Sequence, residues 1–211
     1  MPLNTDKIFD LLEKEKDKKS PFVSYMDKNK DPFKTLIACL LSLRTKDETT
    51  YGATLRLFNL GSTPDDFLKL NEEEIQKAIY PVGFYRNKTG VILGICRDLL
   101  DKYNGIVPDE IDELLKLKGV GRKTANLVVS KGYGKPAICV DTHVHRISNR
   151  LGFVKTKNPD ETEMALREKL PKKYWNKIND LMVTHGQNTC KPVNPKCNIC
   201  TIEPYCQKII K

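Results

Sequence analysis

Apolar positions recur along this chain with the spacing of α-helices, and sustained strand alternation is almost absent. The segment 33–43 is apolar almost throughout and follows Asp31-Pro32, a dipeptide suited to the start of a helix. It predicts a central, buried helix. The same spacing and the capping residues predict further helices near residues 5–12, 47–58, 71–79, 88–103, 123–129, 141–150, 159–170 and 174–185, with a short one from Thr63-Pro64. The fold class predicted is all-α.

Two glycines, Gly119 and Gly121, flank Val120 between two of these helical patterns. Glycine permits a positive φ and close backbone approach, so the segment predicts a tight turn that presents N–H groups at the start of the next helix. Such a turn binds anions. Lys123 lies in the first turn of that helix beside Arg122. The helix terminus and the neighbouring cation should lower the pKa of Lys123, which makes its amine a nucleophile.

The charge balance agrees with an anionic partner. The 211 residues include 36 lysines and arginines against 27 aspartates and glutamates, a formal net charge of +9. This excess favours nucleic acid, although a merely lysine-rich protein would have the same count. No apolar run approaches the ~20 residues that cross a membrane, and no signal-peptide core is found at the N-terminus. We therefore expect an intracellular protein of the cytoplasm or nucleoid, in which structural disulfides are rare.

Four cysteines lie close together near the C-terminus, with the pattern Cys190-x6-Cys197-x2-Cys200-x5-Cys206. Four thiols at this density can hold a metal ion or an iron–sulfur cluster. Zinc is the chemical rival, but its four-cysteine sites usually pair two short Cys-x2-Cys elbows, and only one is present here. The spacing therefore favours a cluster. The other cysteines lie in apolar surroundings and are predicted core residues: Cys39, Cys96 and Cys139.

The three histidines have weaker assignments. His185 precedes the cysteine set by five residues, and we assign it to packing at a helix end because four cysteines already suffice as ligands. His143 and His145 flank the start of the helix after Asp141. For these two, a metal site is one alternative and a capping or groove-facing role is the other.

The segment 117–125, Leu-Lys-Gly-Val-Gly-Arg-Lys-Thr-Ala, and the loop from Gly134 and Pro136 to Val140-Asp141-Thr142-His143 resemble motifs of the helix-hairpin-helix DNA glycosylases. The endonuclease III branch is most similar, and the cysteine spacing matches its [4Fe–4S] loop. The resemblance covers nearly the whole chain. It implies a two-module all-α fold with a C-terminal [4Fe–4S] cluster loop and a DNA-binding groove between modules. Residues 25–134 would form a six-helix module with the hairpin, and residues 1–24 and 135–211 the other module.

The function implied by this resemblance is base-excision repair by a bifunctional DNA glycosylase/AP lyase. We expect a monomer that acts on double-stranded DNA with an oxidised pyrimidine or an abasic site, and cuts 3′ to that site by β-elimination. Lys123 would attack the sugar, and Asp141 would support its positive charge and relay a proton. The cluster on Cys190, Cys197, Cys200 and Cys206 would have a structural, DNA-positioning role. The expected DNA contacts are Arg44, Phe84, Lys118, Gly119, Val120, Gly121, Arg122 and Lys191.

Arg44 and Phe84 match family positions that insert into the DNA stack, where relatives often have Gln and Leu. Arg44 is expected to hydrogen-bond the orphaned base, preferably a guanine, and Phe84 to stack on the opposite strand. A surface arginine and a core phenylalanine are the alternative for these two residues.

Two other functions remain open. A mismatch-specific glycosylase for thymine or adenine would share the hairpin but usually lacks a lysine at position 123. A non-catalytic DNA-binding protein would use the hairpin only to hold phosphates. The presence of Lys123 argues against the first, and its combination with Asp141 argues against the second.

Overall fold

The computed structural model describes residues 4–28 and 30–209, which form helices joined by short loops, without β-strands. The all-α prediction is confirmed. Short 3-10 turns separate some of the helices. The α-helices are α1 Thr5–Glu13, α2 Pro21–Lys28, α3 Pro32–Ser42, α4 Asp47–Phe58, α5 Pro64–Lys69, α6 Glu72–Ile79, α7 Tyr85–Tyr103, α8 Ile111–Leu114, α9 Arg122–Leu127, α10 Thr142–Leu151, α11 Pro159–Lys169 and α12 Trp175–Asn188.

Helix starts follow the capping residues read from the sequence. The Asp31 side chain accepts a hydrogen bond at the start of α3, and Pro32 occupies the first helical position. Asn71 and Glu74 form the capping box of α6. The start of α7 differs from the prediction: it begins at Tyr85, three residues early, so part of the expected aromatic loop is helical.

The chain divides into two compact units, residues 20–135 and residues 1–19 with 136–211. The first unit begins at Ser20 instead of residue 25 because α2 packs on α4. Its centre is α3, whose residues Leu36, Ile37 and Leu41 are fully buried among α4, α7 and α9. The hydrophobic effect thus places the most apolar segment of the sequence at the core of this unit.

The second unit packs α10 and α12 against each other and against α1 and α11. Its core contains Phe9, Ile147 and Met182, and the C-terminal cysteine loop packs on the same core through Ile202. The N- and C-terminal parts of the sequence therefore share one hydrophobic core. Throughout the residues that the structure describes, every helix is too short or too polar to cross a membrane.

Candidate functional site

The glycine turn of the first unit is fixed by close packing. Gly119 has a φ of +89°, and a Cβ atom there would lie 2.8 Å from Cγ1 of Val91 on α7. A larger residue would be strained and would collide with α7. Val120 is only 7 % exposed, and its N–H donates to the Leu117 carbonyl at 3.0 Å. Its side chain therefore anchors the turn in the core, while Gly119 and Gly121 are exposed.

Lys123 is the second residue of α9. The helix begins after Gly121, which has no side chain to cap it. Residues 124–127 are buried, and the helix continues as a π-helical turn over Val128–Gly132. On this fixed backbone the Lys123 side chain is half-buried at the positive end of the helix dipole. Lys118 is exposed and Arg122 half-buried, so three cations surround the exposed glycines.

Arg44 and Phe84 come together in the same unit. Both have left-handed backbones, with φ of 54° and 58°. The guanidinium carbon of Arg44 lies 5.6 Å from the ring centroid of Phe84, which is a cation–π distance. Phe84 is 63 % exposed, so it is not a core residue, and the alternative of a core phenylalanine is wrong. The two side chains form an exposed pair.

Asp141, in the second unit, is the N-cap of α10. Its Oδ1 atom accepts from the backbone N–H groups of His143 and Val144, both at 2.9 Å. The side chain is half-buried. A single carboxylate oxygen therefore satisfies the cap, which leaves Oδ2 outside these two hydrogen bonds. The carboxylate is held in one orientation at the start of the helix.

The two histidines that follow Asp141 bind neighbouring side chains. His143 Nδ1 lies 3.1 Å from a guanidinium nitrogen of Arg146, and His145 Nδ1 lies 2.7 Å from Thr162 Oγ1. Among residues 4–28 and 30–209, no three His, Cys, Asp or Glu side chains are arranged to hold a metal ion. The structure therefore gives no support to a metal site at these histidines, and it connects them to α10 and α11.

The four C-terminal cysteines line one small cavity of about 30 Å³. N–H groups approach their sulfur atoms: Arg150 Nη1 lies 3.3 Å from Cys190 Sγ, and the Lys208 backbone N–H lies 3.3 Å from Cys206 Sγ. Burial raises the pKa of Cys200 to about 11 and also raises the pKa of Cys206. Thiolates at these positions therefore need a positively charged partner, which a bound metal or cluster would be.

Beneath this cavity lies a buried polar pair. His185 is 1 % exposed; its Nδ1 atom lies 3.0 Å from Glu15 Oε2, and Thr201 donates to Glu15 Oε1 at 3.0 Å. Burial alone would raise the pKa of Glu15, but the hydrogen bonds from His185 and Thr201 outweigh it and lower that pKa. The predicted packing of His185 at a helix end thus includes a hydrogen bond to Glu15, which lies just after α1.

Three side chains that organise these sites are not predicted from the sequence. Arg150 is buried and donates to the carbonyls of Lys191 and Pro192 at 2.7 and 2.8 Å, which holds the cysteine loop to α10. Glu15 binds His185. Lys88, in the first turn of α7, binds the loop that carries Arg44. None of the three stands out in the sequence: Arg150 and Lys88 are single charged residues of helices, and Glu15 lies in the charge-dense segment after α1.

Comparison with known proteins identifies the family. The model of the HhH-GPD superfamily of base excision DNA repair proteins matches residues 37–172. Endonuclease III of Thermotoga maritima is 51% identical over 85% of this chain and 84% of that protein. Endonuclease III of Rickettsia prowazekii is 36% identical over 97% of this chain and 95% of its own length.

A solved structure of a trapped endonuclease III–DNA covalent intermediate has a TM-score of 0.83 with this fold and is 40% identical. The match covers 98% of this chain and 97% of that one, so it includes both compact units. The resemblance inferred from the hairpin and the cysteine spacing is confirmed. The chain belongs to the HhH-GPD superfamily of base excision DNA repair proteins, within its endonuclease III family, and is a DNA glycosylase.

Proposed function

We propose that this glycosylase is bifunctional: it removes oxidised pyrimidines from double-stranded DNA and then cuts the strand 3′ to the abasic site by β-elimination. The observation that carries this proposal is Lys123, a half-buried amine at the N-terminal end of the helix that follows the glycine hairpin. A glycosylase that only activates water needs no such amine. The relative trapped as a covalent intermediate with DNA supports covalent chemistry in this family.

The reaction needs the damaged nucleotide to leave the base stack, which costs a few kcal/mol and less for a badly stacked lesion. The Lys123 amine then attacks C1′, the N–C1′ bond forms, and the base leaves with the electrons of the glycosidic bond. The attached nitrogen then loses a proton, and its lone pair forms the C1′=N bond as the C1′–O4′ bond breaks, which opens the sugar ring and gives a protonated Schiff base. Removal of the C2′ proton then expels the 3′ phosphate. Asp141 supports the positive charge on the sugar and relays the proton, because its capped carboxylate has a fixed orientation.

The same proposal assigns the DNA contacts. Lys118, Arg122 and the backbone of Gly119 and Gly121 bind a phosphate, while the buried Val120 side chain supports the turn. Lys191, exposed in the cysteine loop, binds a second phosphate. The exposed pair fills the emptied stack. Arg44 hydrogen-bonds the orphaned base and Phe84 stacks against its strand. The acting species is a monomer.

We further infer that Cys190, Cys197, Cys200 and Cys206 hold a [4Fe–4S] cluster. Structural zinc sites with four cysteines usually pair two Cys-x2-Cys elbows, whereas this set of four has one, between Cys197 and Cys200. A cluster binds each cysteine to a different iron and accepts wider spacing around one cavity. The N–H groups of Arg150 and Lys208 suit its sulfur ligands. When bound, the cluster stabilises the loop that carries Lys191.

Borohydride trapping on abasic DNA tests the proposal. Reduction of a Schiff base should cross-link the wild-type protein to DNA, and Lys123→Gln should abolish both the cross-link and the nick. Lys116→Gln is the matched control, because Lys116 is an exposed lysine near the hairpin that pairs with Glu113. Trapping that persists in Lys123→Gln would overturn the assignment. Base release without any cross-link in the wild type would favour a monofunctional, mismatch-type glycosylase.

A further inference from the structure

The loops that carry Arg44 and Phe84 are held by a lysine outside the expected site. Lys88 lies in the first turn of α7, and its ammonium donates to the carbonyls of Leu41 and Leu43 at 2.8 and 2.6 Å. Its third contact is Thr45 Oγ1 at 3.3 Å. All three N–H groups of the ammonium therefore point to the end of α3 and the turn that follows it. Carbonyls at a helix C-terminus lack helical partners and favour a cation.

The same threonine joins the second loop to the first. Thr45 Oγ1 accepts the N–H of Gly83 at 3.1 Å. Gly83 lies so close to the Arg44 loop that a Cβ atom on it would be 2.7 Å from the Arg44 carbonyl oxygen. Lys88, Thr45 and Gly83 thus form a clasp between two loops, and each loop supplies one member of the exposed Arg44–Phe84 pair. At Gly83 the two loops are too close for any side chain.

This clasp offsets two unfavourable features. A non-glycine residue in the left-handed region is strained, and Arg44 and Phe84 both adopt this conformation. Burial also disfavours the charged form of Lys88 and lowers its pKa to about 8. The strained backbones of Arg44 and Phe84 and the half-buried ammonium of Lys88 lie next to two exposed side chains. This combination indicates a functional constraint on where those side chains are placed.

We propose that Lys88 is a positioning residue for base extrusion, whose ammonium fixes the Arg44 and Phe84 loops in the one spacing at which both side chains enter the DNA stack. This inference rests on the insertion of Arg44 and Phe84 proposed above. Without the ammonium, the turn after α3 loses its three hydrogen bonds to α7, and both left-handed residues can relax. Arg44 and Phe84 would then enter the duplex only after paying the entropy of ordering.

The test compares duplex DNA with single-stranded DNA. Lys88→Met keeps the length of the side chain and removes the charge. Single-turnover excision of thymine glycol from duplex DNA should fall by roughly ten- to hundredfold, the scale of a misplaced group. Nicking of a single-stranded abasic oligonucleotide, which has no opposite base to separate, should stay within about twofold. The control is Lys102→Met, which removes an exposed lysine from the same helix.

Two further measurements separate positioning from general stability. The fluorescence rise of 2-aminopurine opposite the lesion should shrink in Lys88→Met, because the base is no longer displaced. In the Arg44→Ala/Phe84→Ala background, Lys88→Met should lower the rate of excision from duplex DNA by less than a further twofold or so, since the effects of coupled residues are not additive. If Lys88→Met does not fold, Thr45→Val, which removes the hydroxyl that joins the clasp, should reproduce the same pattern.

The outcomes are distinct. If Arg44→Ala/Phe84→Ala retains full duplex activity, insertion itself is wrong, and the role of Lys88 falls with it. If that double variant loses activity while Lys88→Met and Thr45→Val do not, only the role of Lys88 is overturned. Equal losses on duplex and single-stranded DNA, or full additivity with the double variant, would show a structural lysine and overturn the proposal as well.

Discussion

The Nε2 atom of His185 lies 3.6 Å from the Sγ atom of Cys200. The opposite ring nitrogen faces Glu15, so the imidazole joins a buried carboxylate on the N-terminal segment to a predicted cluster ligand. Partners of this kind orient a ligand and tune its basicity. The contact between His185 and Glu15 joins residues that are 170 positions apart in the sequence.

Removal of His185 should therefore affect both folding and the cysteine site. His185→Ala removes one hydrogen bond from the buried Glu15 carboxylate, which still accepts from Thr201, and should cost about 1–3 kcal/mol. We expect a lower melting temperature and a loss of iron per chain. Thermal denaturation and iron analysis measure the two effects. Lys196→Ala, an exposed change in the same loop, is the control. An unchanged iron content with normal stability would contradict the role assigned to His185.

The cysteine set makes a spectroscopic prediction. The purified protein should be yellow-brown with broad absorbance near ~410 nm, as thiolate-bound iron–sulfur clusters are. Cys200→Ser should remove most of this absorbance, because Cys200 lines the cavity. Cys96→Ser should retain it, since Cys96 is a fully buried core residue of the other unit. A colourless, fully active protein with one zinc per chain would refute the cluster.

A single substitution at Asp141 can separate its role as a helix cap from its proposed role in the reaction. Asn caps helices about as well as Asp, so Asp141→Asn keeps the Oδ1 hydrogen bonds to His143 and Val144 and removes only the charge. We expect single-turnover base removal to fall by roughly 10²-fold or more, with little change in melting temperature or DNA affinity. Asp31→Asn, the same substitution at the cap of α3, is the control. Unchanged turnover would leave Asp141 as a cap only.

Local signals account for what the sequence could predict. The caps at Asp31 and Asn71 act within three residues, so their side chains and targets appear together in any short window. The hairpin glycines and the cysteine spacing are also contiguous. Arg44 and Phe84 were found by family position, but their cation–π contact was not. It depends on a left-handed backbone at both residues, which neither residue type favours.

The contacts that could not be predicted join residues far apart in the sequence. Lys88 binds carbonyls of residues more than forty positions earlier, and main-chain acceptors leave no trace in side-chain patterns. Glu15 lies in a charge-dense segment whose composition gives no sign of burial, yet it is buried by α12 and the cysteine loop. The Val120 side chain is buried for a related reason, because tertiary packing and not the turn sequence decides where it points; a DNA contact at Val120 stays a prediction.

DNA affinity should weaken steeply with salt. If about four to six phosphates are neutralised, the slope of log K against log salt should be near −4 to −5. Lys118→Met should reduce its magnitude by about 1, because Lys118 is an exposed cation beside the hairpin glycines. Lys69→Met is the control, since Lys69 pairs with Asp65 on α5. Fluorescence anisotropy at several salt concentrations gives the slopes, and equal slopes for Lys118→Met and wild type would exclude a phosphate contact.

The burial of Lys88 leads us to expect an unusual dependence of the free energy of unfolding on pH. Burial lowers its pKa to about 8, against 10.5 for an ordinary lysine. Between these values the unfolded chain binds more protons than the folded one, so the free energy of unfolding should rise with pH across this window. The neutral amine still has two N–H groups for Leu41 and Leu43, its two shorter contacts. Deprotonation therefore relieves the burial of charge without removing both hydrogen bonds.

Urea denaturation of wild type and Lys88→Met at pH 7 and pH 9.5 measures this effect. The stability of the wild type relative to Lys88→Met should increase between the two pH values. Lys102 is the control, because its pKa is shifted in the opposite direction: its hydrogen bond to Asp98 raises that pKa. Its contribution is fully present below the unfolded pKa, so the difference between wild type and Lys102→Met should be nearly constant from pH 7 to 9.5. A constant difference for Lys88→Met as well would mean that the Lys88 ammonium is solvated, and that the clasp does not bury a charge.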